Sequence, residues 1–82
     1  MNAALFGRLC RIAADVLEVP QDRIRADSST ETVESWDSVH HLNLVLALEQ
    51  EFNLQFEPEE IDEMNSIERI LTVLENKLNH RT

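Results

Sequence analysis

The chain is 82 residues long, 43% hydrophobic and 28% charged, with one Gly and two Pro. That allows one small helical core but not a two-domain enzyme, and turn residues are too few for a β-sandwich. Seven basic residues against sixteen acidic ones give a net charge of -9, with twelve acids and no Lys or Arg in residues 26–68; such a surface disfavours nucleic acid and membrane partners and favours proteins with basic patches.

From the N-terminus, Leu5, Phe6, Leu9, Ile12, Ala13, Val16 and Leu17 recur at the spacing of one helical stripe, with Arg8, Arg11, Asp15 and Glu18 opposite. They predict a first helix from about Asn2 to Leu17, capped by Asn2 and stopped ahead of Pro20, which pushes Val19 out of the helical region. Cys10, the only cysteine, sits at the edge of the stripe and is expected to be a semi-buried structural thiol. Without a second cysteine no intramolecular disulfide forms, which fits a reducing, cytoplasmic compartment. Arg8 and Arg11 interrupt the N-terminal apolar residues, and the longest unbroken apolar run is Leu44 to Leu48. Neither a signal peptide nor a membrane span is expected, and a Met-Asn start excludes myristoylation.

Residues 18–37 hold no sustained period and are rich in Asp, Ser, Thr and Glu, which predicts a long loop. Val19, Ile24, Val33 and Trp36 are placed along it to pin it to the core, with room for a short helical turn. A second helix should open at Asp37, whose carboxylate accepts from free first-turn amides for about 1 kcal/mol over Ala. Val39, Leu42, Leu44, Val45, Leu46, Leu48 and Phe52 spread over roughly 220° of its circumference, so the helix is expected to be covered on more than one side. His40, Asn43, Ala47, Gln50 and Glu51 form the narrow remaining face, expected to meet a partner, while His41 and Glu49 reach solvent near the helix ends. Pro58 suits the first position of a short third helix carrying Phe56, Ile61 and Met64, with acids in its first turn. Asn65 or Ser66 then caps a fourth helix, Asn65 and Glu68 having capping-box spacing, with Ile67, Ile70, Leu71, Leu74 and Leu78 as its inner stripe. The expected fold is all-α, a bundle of three main helices and one short one in a single domain spanning residues 1–82.

Ser38 follows the capping Asp37 directly. Free backbone amides and the helix dipole favour an anion there, so a phosphate ester on this hydroxyl would be electrostatically supported. An isolated Asp-Ser at a helix start more often only assists the cap. A long group attached at Ser38 could swing into solvent or fold back along the core.

Trp36-Asp37-Ser38-Val39, followed by Leu42-x-Leu44-Val45-Leu46-Ala47-Leu48-Glu49-x-Glu51-Phe52, resembles the Asp-Ser motif and second helix of acyl carrier proteins. Leu17-x-Val19 with Ile24, the acidic Glu57-Pro58-Glu59-Glu60-Ile61 and Ser66-Ile67 extend the resemblance over nearly the whole chain. It implies an acyl-carrier-protein-like bundle that is a substrate of enzymes and not itself catalytic. Ser38 would be modified with 4'-phosphopantetheine from coenzyme A by a carrier-protein synthase, the arm's thiol then carrying acyl groups as thioesters. Asp37 matches the family residue that assists this modification, partly by helping to hold magnesium in the synthase complex. The implied partners are that phosphopantetheinyl transferase, an acyl-loading ligase or synthase, and acyltransferases with basic docking surfaces, met by a monomer. Trp36, Val39, His40, Asn43, Glu51, Glu59 and Glu60 are the expected recognition residues.

Fatty-acid carriers commonly have acids two and five residues after the serine, where this chain has His40 and Asn43. That departure favours a dedicated pathway, with a polyketide, modified lipid, sugar N-acyl or aminoacyl cargo; the alternative is an unmodified acidic helical adaptor. Asp37, Ser38 and His41 supply the residue types of a hydrolase triad but are crowded into one helical turn, without the facing geometry such a triad requires. Adjacent His40 and His41 point about 100° apart and cannot jointly ligate a metal without a third element. The Glu57 to Glu63 run lacks the ligand pattern of a calcium loop.

Overall fold

The computed structural model describes residues 3–79. Among the described residues four helices form in the expected order: α1 (Ala3–Leu17), α2 (Ser38–Phe52), the short α3 (Pro58–Glu63) and α4 (Ile67–Asn79). A single 3-10 turn, Gln21–Arg23, interrupts the long loop between α1 and α2. The expected Asn2 cap lies outside the described residues.

The one glycine, Gly7, lies inside α1, so the ends of α1 and α2 turn without glycine. Glu18 (φ 59°) and Asn53 (φ 52°) take the left-handed conformation instead. Each turn is closed by an amide reaching five residues back, Val19 to the Ala14 carbonyl and Leu54 to that of Glu49, both at 3.1 Å.

The 18–37 loop is held at two levels. Ile24 and Trp36 are buried in the core, with Val19 and Val33 packed against it. Its backbone also serves as the cap of α4: the carbonyls of Ser28 and Ala26 accept from the Ile67 and Glu68 amides at 2.8 and 2.9 Å. Ser66 Oγ accepts from the Arg69 amide at 3.2 Å, so the side-chain cap of α4 is Ser66. Asn65 instead offers its carbonyl to the Thr30 amide, because the loop docks where an Asn65–Glu68 capping box would have formed. The capping box appears one helix earlier: the Glu60 side chain accepts from the Glu57 amide at 2.7 Å, with Pro58 at the first position of α3.

α2 departs from expectation. Leu44, Val45, Leu48 and Phe52 are buried, a stripe about 100° wide, whereas Val39, Leu42 and Leu46 are 65%, 57% and 55% exposed. The neighbouring helices reach only one side of α2, so the second half of its apolar arc faces solvent. The face expected to be free is only partly so: Asn43 and Gln50 are exposed, but the face borders α1, where Glu51 pairs with Arg8 at 2.7 Å and Arg8 lies 4.5 Å from the centre of the Phe52 ring.

Leu74, fully buried on α4, and Leu46 test this division. Leu74→Ala is expected to cost about 2–5 kcal/mol in urea unfolding. Leu46→Ala, which removes the same atoms from a solvent-facing position, should stay within about 0.5 kcal/mol of wild type.

Candidate functional site

Ser38 is the first residue of α2 and is exposed. Its environment is set by Asp37, which adopts an extended conformation (φ -96°, ψ -172°) and turns its carboxylate onto the helix opening. Asp37 Oδ1 accepts from the His40 amide at 2.9 Å and lies 2.8 Å from His40 Nδ1, while His40 Nε2 lies 3.4 Å from Glu18 at the end of α1. The backbone amide of His40, then its ring, holds the Asp37 carboxyl below its ordinary value. The bonds to Asp37 and then Glu18 raise the His40 imidazole above its own. His40 was expected on an open recognition face; it joins the start of α2 to the end of α1.

Trp36 and His41 lie on the other side of Ser38. Trp36 is 3% exposed and anchors the loop in the core, as its place along the loop predicts, so it does not belong among the partner-facing residues where it was also expected. Its indole Nε1 donates to His41 Nδ1 at 3.0 Å, and the two rings stack with centroids 6.1 Å apart. An indole N–H only donates, so His41 Nδ1 is the acceptor and the ring proton sits on Nε2. Nε2 in turn donates to the Ile61 carbonyl at 3.0 Å. His41 was expected to reach solvent; both of its nitrogens are instead engaged within the protein. Glu49 is corrected likewise, accepting from the Phe56 amide at 2.9 Å.

Beside Ser38 these residues border an open groove of about 560 Å³, walled by Trp36, His41, Leu42, Ile61 and Asp62. A larger hollow of about 640 Å³ between α1 and α2, lined by Arg11, Asp15, Ala47 and Gln50 among others, offers no hydroxyl or thiol. The Cys10 thiol, pushed up by burial, is in the core of α1.

Of the remaining expected recognition residues, Val39, Asn43 and Glu59 are exposed. Glu51 is committed to Arg8, and Glu60 to the capping box and to Lys77 at 2.9 Å. Burial pushes the Glu60 carboxyl up, but the Glu57 amide and Lys77 outweigh it and leave it below its ordinary value. Leu42 and Leu46, expected under cover, lie instead with Val39 at three- and four-residue spacing on the solvent face.

Comparison with known proteins adds the decisive observation. The family described as "Phosphopantetheine attachment site" matches residues 7–74. The chain is 32% identical over 75 residues to an acyl carrier protein of Petrotoga mobilis, spanning 92% of this chain and 88% of that protein. The chain belongs to the acyl carrier protein family. A Buchnera aphidicola acyl carrier protein is 29% identical over 70 residues, covering 85% of this chain and 88% of that protein. The solution structure of a holo acyl carrier protein from Geobacter metallireducens superposes with a TM-score of 0.77 at 22% identity, covering 94% and 93% of the two chains. Proteins of this family are carriers, not enzymes, and their cofactor is covalently attached 4'-phosphopantetheine. The residues here fit that group: an exposed hydroxyl at a helix opening, and a groove beside it with apolar walls.

The Asp37–His40 pair carries a pH signature. His40, raised in the folded state, adds stability that is complete below the ordinary imidazole value of 6.5 and is lost as pH rises through its folded value. Asp37, lowered, adds stability that is complete above the ordinary carboxyl value of 3.8 and is lost as pH falls through its folded value. The urea-midpoint advantage of wild type over His40→Gln should therefore peak at about pH 4–6 and shrink on both sides. An advantage independent of pH would contradict the pairing.

Proposed function

We propose that Ser38 Oγ is the attachment atom for 4'-phosphopantetheine and that the chain delivers acyl groups to the enzymes of a dedicated biosynthetic pathway. The observation that carries this reading is the exposed hydroxyl at the first position of α2, following a cap made by the Asp37 side chain. In the modification, Ser38 Oγ forms a bond to the phosphorus of the coenzyme A pyrophosphate that bears the pantetheine. The P–O bond to the departing adenosine 3',5'-bisphosphate breaks, and the hydroxyl proton passes to a base of the synthase. The helix dipole and the first-turn amides that Asp37 does not occupy favour the resulting phosphodiester anion at this end of the helix. Asp37 assists the transfer, in part by helping to hold magnesium in the synthase complex. When attached, the arm supplies the thiol that holds acyl groups as thioesters.

Two features support a dedicated pathway over general fatty-acid synthesis. His40 and Asn43 stand where fatty-acid carriers commonly have acids, and His40 is bound to Asp37 and Glu18. The outward face of α2 therefore presents Val39, Leu42 and Leu46 around a neutral Asn43, with the acids displaced to α3. A partner enzyme would meet this surface through an apolar patch on α2 and basic residues toward Glu59 and Asp62. An aminoacyl cargo fits the same reading. The lone, buried Cys10 suits a reducing cytoplasm, and among the described residues no helix is long and apolar enough to cross a membrane.

Incubation with coenzyme A, magnesium and a broad-specificity carrier synthase is expected to add one phosphopantetheine, read by intact mass, and Ser38→Ala should abolish the gain. A gain surviving in Ser38→Ala would place the attachment elsewhere. No gain in wild type, together with partner binding unchanged in Ser38→Ala, would instead favour the unmodified acidic adaptor.

A further inference from the structure

The groove beside Ser38 lies over the seam between α2 and α3, and this seam is already filled. Trp36 packs beneath it at 3% exposure, and the His41 ring lies across it, fixed at Nδ1 by the indole N–H and at Nε2 by the Ile61 carbonyl. α3 packs chiefly on α4, so the His41–Ile61 bond is a direct polar tie from α2 to α3 at this point. Leu44 and Leu48 on α2, and Met64 and Ile67 beyond α3, are fully buried in the same core as Trp36. To pass from the groove into the core, an acyl chain tethered at Ser38 would have to displace His41. That displacement leaves a buried indole donor without its acceptor and removes one of the hydrogen bonds at the Ile61 carbonyl.

We infer that His41 is a specificity-determining residue that closes the α2–α3 seam, so that cargo on the Ser38 arm rests in the outer groove and gains no shelter from a longer chain. The inference rests on Ser38 being the attachment atom. It assigns the chain to short or polar acyl groups, whose first atoms contact Trp36, Leu42 and Ile61 while the remainder stays in water. Where a seam can open, each further CH2 taken out of water multiplies the sheltered population about fourfold, so chain length separates an open seam from a closed one.

The test loads the chain from acyl-coenzyme A with acyl groups of about four, eight and twelve carbons and follows two signals. One is the rate at which hydroxylamine cleaves the thioester; the other is the NMR resonance of the indole N–H, which is unambiguous because Trp36 is the only tryptophan. In wild type the cleavage rate is expected to change by less than about threefold across the series, with the indole resonance constant from the shortest chain to the longest. His41→Ala should slow cleavage of the longest thioester by about threefold or more and shift the indole resonance progressively with chain length. His41→Gln, which keeps most of the bulk and a donor toward Ile61, should restore the flat profile. Should His41→Ala fail to fold, the wild-type and His41→Gln series decide the matter.

Wild-type cleavage that slows by about threefold or more with length, or a folded His41→Ala with the flat wild-type profile, overturns the closed seam while leaving attachment intact. Failure of wild type to gain the mass of the arm removes attachment at Ser38 and the inference with it, a result distinguished by mass alone.

Discussion

A buried indole N–H needs an acceptor, and the way this chain meets that need organises the region around Ser38. Trp36 lies at the end of a long loop with no regular structure to satisfy it, and its ring is too large to leave in water without loosening that loop. His41, one turn into α2, supplies the acceptor and passes a hydrogen bond on to the Ile61 carbonyl. Loop, α2 and α3 are thereby brought into one register. With Trp36 directed inward and Asp37 turned onto the helix opening, Ser38 is left exposed at the first position of α2.

The same economy of polar groups recurs through the fold. α1 and α2 end on left-handed Glu18 and Asn53, and the N-terminal amides of α4 are met by loop carbonyls as well as by Ser66. Among the described residues, no buried side-chain polar atom is left without a partner. This matters in a bundle whose hydrophobic core is small: one unsatisfied donor costs about 1–3 kcal/mol against a total stability of only about 5–15 kcal/mol. The charges divide accordingly. Arg8 and Lys77 each neutralise an acid and lie near a phenylalanine ring, while Glu59 and Asp62 stay at the surface, where they give α3 its negative character.

Much of the architecture is legible in local pattern. The apolar spacing of α1 and α4, Pro58 at the start of α3, and Asp37 before α2 each act within a few residues, so they identify their elements without reference to the rest of the chain. The two-sided covering expected for α2 fails for a corresponding reason. A helical wheel shows that Val39, Leu42 and Leu46 are apolar but not how many neighbours come within reach of them. Glu60 and Glu51 read as free acids in sequence, yet their partners lie at Lys77 and Arg8, 17 and 43 positions away.

Sequence alone determined the number and order of the helices, the position of an Asp-Ser pair at a helix opening and the run of acids around it, because helical period, capping and fixed charge are local or additive properties. Only the tertiary structure decided which half of α2 faces water, which acceptor the Trp36 indole finds, and that His41 joins two elements. Those outcomes depend on where distant groups come to rest: a histidine has the same letters whether it meets solvent or stands between an indole and a carbonyl, and its role is set by the partners that packing brings to its two nitrogens.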